Sequence, residues 1–536
     1  MPREVYIAGV GLTKVDLTGR IFHNVFDLFT RAYESALEDS RIRSFDALQL
    51  GVMCSEEFEG RANIAAKVAD RLGLTGIPAI RTETASSTGA AAFHEAWAKV
   101  ASGQADNVLV LAGERMKMVT TAEATTIMSK TVDPVERSFG FTMPALIALV
   151  TQAWFRERRL RGSAVADVLA RLMWRAHTLG ADNPLAAFHG RPESIDAYFD
   201  RTRNLPVATP LLRKDCSPIC DGAAAVILTS RPEAVRVAGL GCATDTSSIL
   251  DRASLSTLAA SRQAARVAYW RAGIANPRDL EGLVVESHDA FNSLLPINLA
   301  DLDLVDPDEA VDSLVGSLRR EAVSPYAHPI TGVGGRLPTN LSGGLKARGH
   351  PVGGTGLFQI AETYLQITER FPNPAAQVAG AQIGLSHSIG GPGNNVYVTL
   401  LESSSSRRPR PELAAPRLHY ESPREPRAVA DRESPVSGSA VVEAVTTIHV
   451  TSGGVPPPVH VALLSIEGRR VFARLDQPFE ADEPLEQILT GQKVRVLVKD
   501  DGDQYFQLPQ SRGLDLGRIA RALRRRVGSS EEAEAG

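Results

Sequence analysis

The sequence predicts a duplicated, layered α/β fold followed by a small β-barrel. Three observations lead there. Two stretches of the chain repeat one alternation of apolar strand and amphipathic helix, which builds parallel sheet covered by helices. After Leu401 the composition shifts to Ser, Arg and Pro. Beyond that shift, from about Ser437 to Pro509, short alternating strands follow one another without a long helix, as in small barrels.

In the first half, Val5–Gly11 reads as a buried strand ending in a glycine turn, Val25–Leu37 as a helix and Leu48–Met53 as a second strand. In the second half, Val235–Gly241, Leu258–Ala272 and Leu280–Glu286 repeat that order. Ser87-Thr88-Gly89-Ala90 pairs with Gly354-Thr355-Gly356-Leu357, two helix starts at Thr-Gly. A further strand follows each, Asn107–Ala112 in one half and Val396–Leu400 in the other. A pseudo-twofold axis relating the halves would bring the two Thr-Gly starts together, and with them Ser86 and His350. The first half closes with Asp221–Leu228, whose small residues suit close packing.

The expected boundaries are 1–235 for the first half, with an insertion at about 117–213, and 236–401 for the second. A flexible linker follows at 402–436, then a barrel similar to an OB-fold at 437–509, and a basic helix with an acidic end at 510–536. Within the barrel, Val461–Ile466 and Val471–Leu475 flank a Glu467-Gly468 turn, a hairpin signal.

Composition excludes several classes. The 536 residues leave room for about three domains. A 43% apolar and 22% charged content fits a packed protein, and a net charge of −4 gives no general pull toward nucleic acid or membrane. No apolar run approaches a membrane span, and the N-terminus has no signal-peptide pattern, so a cytoplasmic location is the expectation. Four cysteines make no disulfide framework. Cys216 and Cys220 have metal-like spacing, but no second ligand pair is evident, so no metal is expected. The barrel strands hold few aromatics and no basic groove pattern, which argues against single-stranded nucleic acid.

The chemistry concentrates in Asn340–Gly356, a glycine-dense loop with His350 at its centre that opens a helix. Backbone N–H groups at a helix start can hold an anion or oxyanion. A plain helix entry with a surface histidine has the same pattern. Three other blocks weigh against that reading: Glu83–Ala92 with Ser86, Val285–Phe291 with His288, and Gly384–Gly393 with His387.

Gly343-Gly344, Gly349-His350-Pro351 and Gly353–Gly356 resemble the histidine loop of the thiolase superfamily. The other blocks are similar to the family's in the family's order, over roughly residues 4 to 401. Archaeal-type acetyl-CoA acetyltransferases and sterol-carrier-protein-type thiolases share the His-Asp-Ala-Phe form of the block at His288. The resemblance implies a duplicated α/β/α thiolase fold, a coenzyme A thioester as substrate with no covalently bound cofactor, a lid formed by the insertion, and a homodimer. It also implies roles: His350 as base, His288 toward the oxyanion or thioester carbonyl, His387 for carbon-acid proton transfer. Gly353, Gly356, Gly390, Gly391 and Asn183 become the candidates for binding substrate and oxyanion.

The largest departure is Ser86, where the family places cysteine. A serine must lose its proton during attack, and its ester is a poorer acyl donor than a thioester. Three readings stay open: acylation of Ser86 with His350 as base, a hydrogen-bonding Ser86 in non-covalent aldol-type chemistry, or a structural, inactive subunit. Cys54 follows the second strand and could face the same cavity, though a buried spectator thiol is the plainer reading. The barrel is similar to a domain found beside thiolase-like enzymes. It lacks that domain's cysteine ribbon and is a candidate docking site for a partner protein.

Overall fold

The computed structural model describes residues 3–316, 323–406, 408–409, 411–416, 435–452, 454–476, 485–499 and 503–508. Most of the expected linker, and all of the basic helix and acidic end, lie outside the described residues.

The strands, in chain order, are β1 (Tyr6–Leu12), β2 (Ala47–Gly51), β3 (Ala79–Thr82), β4 (Asn107–Arg115), β5 (Pro206–Ala208), β6 (Leu211–Leu212), β7 (Asp221–Thr229), β8 (Val235–Thr244), β9 (Leu283–Ser287), β10 (Ile383–Gly390) and β11 (Asn395–Ser403). Then come β12 (Gly438–Ile448), β13 (Val459–Ile466), β14 (Arg469–Leu475), β15 (Lys493–Val498) and β16 (Gln504–Gln507). Nine of them form one sheet in the order β3-β2-β4-β7-β1-β8-β11-β10-β9. The halves meet at β1 and β8, which pair only at Tyr6–Arg236 and Ile7–Val235. On each side of that joint the pairing repeats. β2 lies parallel to β4, and β4 antiparallel to β7. Likewise β9 lies parallel to β10, and β10 antiparallel to β11.

The duplication therefore holds, with one change of partner. The counterpart of β4 is β10, and β11 matches β7. Ile383–Gly390 carries Ser386, His387 and Ser388, so its sequence reads as a motif rather than as an apolar strand. A second difference concerns Gly9 and Gly11, which lie within β1 and do not end it. A Cβ on Gly11 would sit 2.2 Å from the Ala32 carbonyl oxygen of the Val25–Asp39 helix. In β8 a Cβ on Gly241 would sit 1.9 Å from the Ala264 carbonyl oxygen of the Ala259–Ala272 helix. The repeat thus extends to how each helix is seated on its first strand.

Two helices occupy the centre, Thr88–Ala101 and Thr355–Ile367. The second packs on β9 and β10 of its own half and on β7 and β1 of the other. Residues Thr88–Phe93 and Thr355–Tyr364 are buried without a break, as expected of a helix with no solvent face. Reciprocal glycines set the crossing. A Cβ on Gly89 would meet the Leu357 nitrogen at 2.8 Å, and one on Gly356 the Ala90 nitrogen at 2.6 Å. The two Thr-Gly helix starts thus meet where the repeat predicts.

The insertion folds chiefly into the Met143–Glu157 and Ser163–Ala181 helices and the short strands β5 and β6. The C-terminal strands close a five-stranded, OB-like barrel in the order β12-β13-β14-β16-β15-β12, with only the β14–β16 pair parallel. Glu467 and Gly468 make the β13–β14 turn at φ +48° and +81°, the left-handed backbone of a tight hairpin. The polar segment Gln504–Gln507 supplies a fifth strand that its sequence does not announce. β12 runs past the barrel wall and pairs with β5 at Ile448–Ala208. There His449 N donates to the Val207 carbonyl and Thr209 N to the Thr447 carbonyl, at 2.9 and 3.1 Å. Phe472 of β14 packs on Phe141, ring centroids 4.6 Å apart.

Candidate active site

Ser86 sits on the turn between β3 and the first central helix. Ala85 before it has φ +54°, a strained backbone for a residue with a Cβ. Thr88 holds that turn: its hydroxyl donates to the Ala85 carbonyl at 2.6 Å and accepts from Thr84 N at 2.9 Å. Ser86 is half-buried, whereas Ser87 is fully enclosed.

The loop that carries His350 is tied to the end of β9. Asn340 exchanges two hydrogen bonds with the Ser287 backbone, at 2.7 and 2.9 Å. The Ser342 hydroxyl donates to Glu286 at 2.8 Å, and Leu345 N donates to Asp289 at 2.7 Å. Arg348 is fully buried, pairs with Glu362 at 3.0 Å and lies over the Phe358 ring. The base of the loop is thus a paired, desolvated ion network, a type of contact that breaks at a high energetic cost when one partner is lost.

His288 and His350 face each other edge to face, ring centroids 5.2 Å apart. Their hydrogen bonds are compatible with opposite tautomers. The Thr355 hydroxyl donates its one proton to the Pro351 carbonyl at 3.1 Å and lies 2.6 Å from His350 Nδ1. With that hydroxyl proton placed on Pro351, His350 Nδ1 carries the ring proton and Nε2 is a bare lone pair. His288 Nδ1 accepts from Ile389 N at 3.2 Å, so its proton resides on Nε2. One ring thus presents an acceptor and the other a donor. Burial, with Arg348 beside it, pushes His350 down to about 3. Burial, then His350, His387 and Arg348, push His288 well below its ordinary value. Both rings are neutral, as these roles require.

Ser86, His288 and His350 line one cavity of about 610 Å³. Its wall draws on both halves of the sheet, on Met143 and Ile147 of the insertion, and on Val450 just past β12. The volume and largely apolar lining suit a small organic ligand.

A thiolase N-terminal domain model matches residues 5–155, and a thiolase C-terminal domain-like model matches residues 241–403. The acetyl-CoA acetyltransferase of Methanothermobacter thermautotrophicus is 33% identical over 407 residues, covering 74% of this chain and 98% of that protein. The chain belongs to the thiolase superfamily. Among solved structures, a protein described as a monomeric SCP2-thiolase like protein type 1 from Mycobacterium smegmatis superposes with a TM-score of 0.68. It is 18% identical and covers 95% of this chain and 100% of its own. The Ltp2-ChsH2(DUF35) aldolase superposes at 0.60 with 18% identity, over 76% of this chain and 100% of its own. At that identity the two structures show the fold alone.

Other expected site residues lie elsewhere in this thiolase fold. His387 does not reach the cavity. It is fully buried, its Nε2 3.0 Å from the Ser261 hydroxyl and its Nδ1 3.2 Å from the Ser287 hydroxyl. Side chains alternate along a strand, so His387 faces the Ala259–Ala272 helix while Ser388 faces the Thr355–Ile367 helix. A Cβ on Gly356 would lie 2.8 Å from Ser388 Oγ, and that buried hydroxyl has no hydrogen-bond partner among the described residues. Asn183 also stays off the wall: its amide donates to the Ser342 carbonyl and its oxygen accepts from Leu185 N.

The glycines divide by position. Gly353 bears on buried Glu114, whose carboxylate a Cβ would meet at 2.4 Å, and Gly356 serves the helix crossing. A Cβ on Gly390 would meet the Thr84 carbonyl at 2.3 Å, whereas Gly391 lies on the cavity wall. These positions are occupied by glycine because neighbouring backbone or side chains come so close.

Cys54 packs among Met53, Phe58 and Val352, and burial raises its thiol strongly. Cys220 accepts from His350 N at 3.1 Å, while Cys216 lies on the cavity wall. Among the described residues no cluster of His, Cys, Asp or Glu is placed to hold a metal, and no helix is long and apolar enough to cross a membrane. Thr355 and Lys346 were present in the sequence motif without a role there. Thr355 finds its partners, His350 and Pro351, inside that motif, whereas Lys346 meets Cys216 only in the fold.

Proposed function

We propose that this chain is a thiolase-like acyltransferase acting on coenzyme A thioesters, by acyl transfer or Claisen-type condensation. One observation carries the reading: Ser86 shares a cavity wall with His288 and His350, two histidines that burial holds neutral. In the forward step Ser86 Oγ attacks the thioester carbonyl and His350 Nε2 takes its proton. His288 Nε2–H donates to the oxyanion. Collapse expels the coenzyme A thiolate, which recovers the proton from His350, and an acyl ester remains on Ser86. Because burial holds His350 near 3, its cation forms as the partner of the growing oxyanion.

A second reading rests on a separate observation. Among the described residues no hydrogen bond joins Ser86 Oγ to either histidine. A retro-aldol cleavage needs no acyl-enzyme. His350 Nε2 would take the proton of a β-hydroxyl, His288 Nε2–H would hold the thioester enolate, and Ser86 would donate a hydrogen bond. For the assembly we propose a cytoplasmic homodimer joined along β3, an edge strand whose Ile80 is 48% exposed. Light scattering tests it, and a monomer at working concentration removes it.

Intact mass after incubation with a panel of acyl-CoAs, on wild type and Ser86→Ala, separates the catalytic readings. An adduct that requires Ser86 supports acyl transfer. Binding without an adduct, together with cleavage of a β-hydroxyacyl-CoA, supports the aldolase. Neither binding nor adduct supports a structural subunit.

A further inference from the structure

Lys346 enters the cavity from the loop that carries His350, and it is 4% exposed. Its ammonium donates to the Cys216 carbonyl at 2.8 Å and lies 5.6 Å from the Phe188 ring centroid. Among the described residues no carboxylate lies within 4 Å of Nζ. The two that act on it from further away are engaged elsewhere. Asp215 accepts from Tyr198 Oη and Leu212 N, both at 2.8 Å, and Glu193 pairs with Lys214 at 2.5 Å. Burial accordingly pushes Lys346 down to about 8.

His177 lines the same cavity and is 2% exposed. Neither ring nitrogen has a well-formed hydrogen-bond partner among the described residues. Burial, then Lys346 and Lys214, push it down to about 2, against a weak opposing pull from the Arg191 backbone. It is therefore neutral and retains an N–H to donate.

A buried cation without a close counterion is costly, and so is a buried ring with no hydrogen bond of good geometry. Both costs fall together when one anion reaches both groups in the cavity they line. Such a group must be a hydrogen-bond acceptor as well as an anion, and it must travel with a ligand whose remainder suits apolar walls. A carboxylate at the end of an acyl chain meets all three conditions.

We propose that Lys346 and His177 form a receptor for a carboxylate on the acyl group, so that the substrate class is the coenzyme A thioester of a dicarboxylic acid. The assignment rests on the coenzyme A reading above and names its substrate. Lys346 Nζ forms the ion pair and His177 donates a hydrogen bond, while His350 and Ser86 address the thioester carbon. A phosphate of coenzyme A is the other anion available. The test includes free coenzyme A to separate the two.

The experiment is calorimetric binding of length-matched pairs, succinyl-CoA against butyryl-CoA and adipyl-CoA against hexanoyl-CoA, with free coenzyme A as reference. It uses the full chain as wild type, Lys346→Met and His177→Phe. At least one carboxylated member should bind wild type tenfold or more tighter than its neutral partner. Lys346→Met should abolish that preference and leave butyryl-CoA, hexanoyl-CoA and free coenzyme A within about twofold of their wild-type affinities. His177→Phe should reduce the preference several-fold. Equal wild-type affinity within both pairs overturns the assignment without any variant, so a misfolded Lys346→Met cannot shelter it. A uniform loss by every ligand in Lys346→Met, free coenzyme A included, gives Lys346 to a phosphate and also overturns it. If no coenzyme A species binds wild type, the coenzyme A reading falls and takes this assignment with it.

Discussion

Replacing Thr355 with valine tests the tautomer assignment directly. The side chain keeps its shape and loses the oxygen that lies 2.6 Å from His350 Nδ1. In the variant a proton on Nδ1 faces a methyl group, and a buried N–H left unsatisfied costs roughly 1–3 kcal/mol. Moving that proton to Nε2 relieves the cost but removes the lone pair that serves as base. At about 1.4 kcal/mol per factor of ten, the base-competent fraction falls by roughly 5- to 150-fold. The ring's volume is unchanged, so substrate binding should persist. We therefore expect kcat to fall within that range and KM to stay within about twofold. The assay is thiol-detected release of coenzyme A, alongside long-range ¹H–¹⁵N correlation of the histidine side chains. A turnover equal to wild type, or a ring still protonated at Nδ1, refutes the reasoning.

Three further outcomes are expected. Gly356→Ala places a Cβ 2.6 Å from the Ala90 nitrogen, where only backbone could yield. Overpacking of this kind costs about 1–3 kcal/mol, read as a lower urea midpoint, whereas Gly334→Ala, with nothing within 4 Å, should leave the midpoint unchanged. His387→Gln should lower stability by roughly 1–3 kcal/mol while kcat stays within about twofold, and a hundredfold loss of kcat at unchanged stability would put the ring among the reacting atoms. With a carboxylated substrate kcat/KM should fall above about pH 8, because burial, helped by Lys214 and opposed by Cys216, Asp215 and Glu193, lowers Lys346 from 10.5 to about 8, so that it is a cation below that pH and neutral above it. The neutral substrate of equal length should show no such fall, and identical profiles would remove Lys346 from recognition.

The duplication was legible because its first strands are apolar runs that carry glycine and its central helices open on Thr-Gly. It failed at β10, whose Ser-His-Ser segment hides a buried strand behind polar residues. The barrel was legible from Val461–Leu475 and Val494–Val498. Gln504–Gln507 was not, because a four-residue polar strand depends on its neighbours rather than on its own pattern. Motif order drew Ser86, His288 and His350 together, but it could not say which way His387 points. That depends on strand parity relative to a helix layer whose Ser261 is 126 residues away in sequence. Lys346 makes the same point, because a missing counterion is a property of neighbours remote in sequence, whereas Thr355 meets His350 within the motif itself.

The pairing of β12 with β5 bears on what the covalent connection between barrel and insertion supplies. The barrel is held to the insertion by main-chain hydrogen bonds and by Phe472 against Phe141, contacts that two separate chains could make equally well. A covalent connection adds proximity, which raises effective concentration without creating any new contact. Two separate chains would assemble equally well wherever both are abundant. Joining them matters most where they are scarce, since the cavity takes part of its wall from Val450 and is incomplete until the barrel has docked.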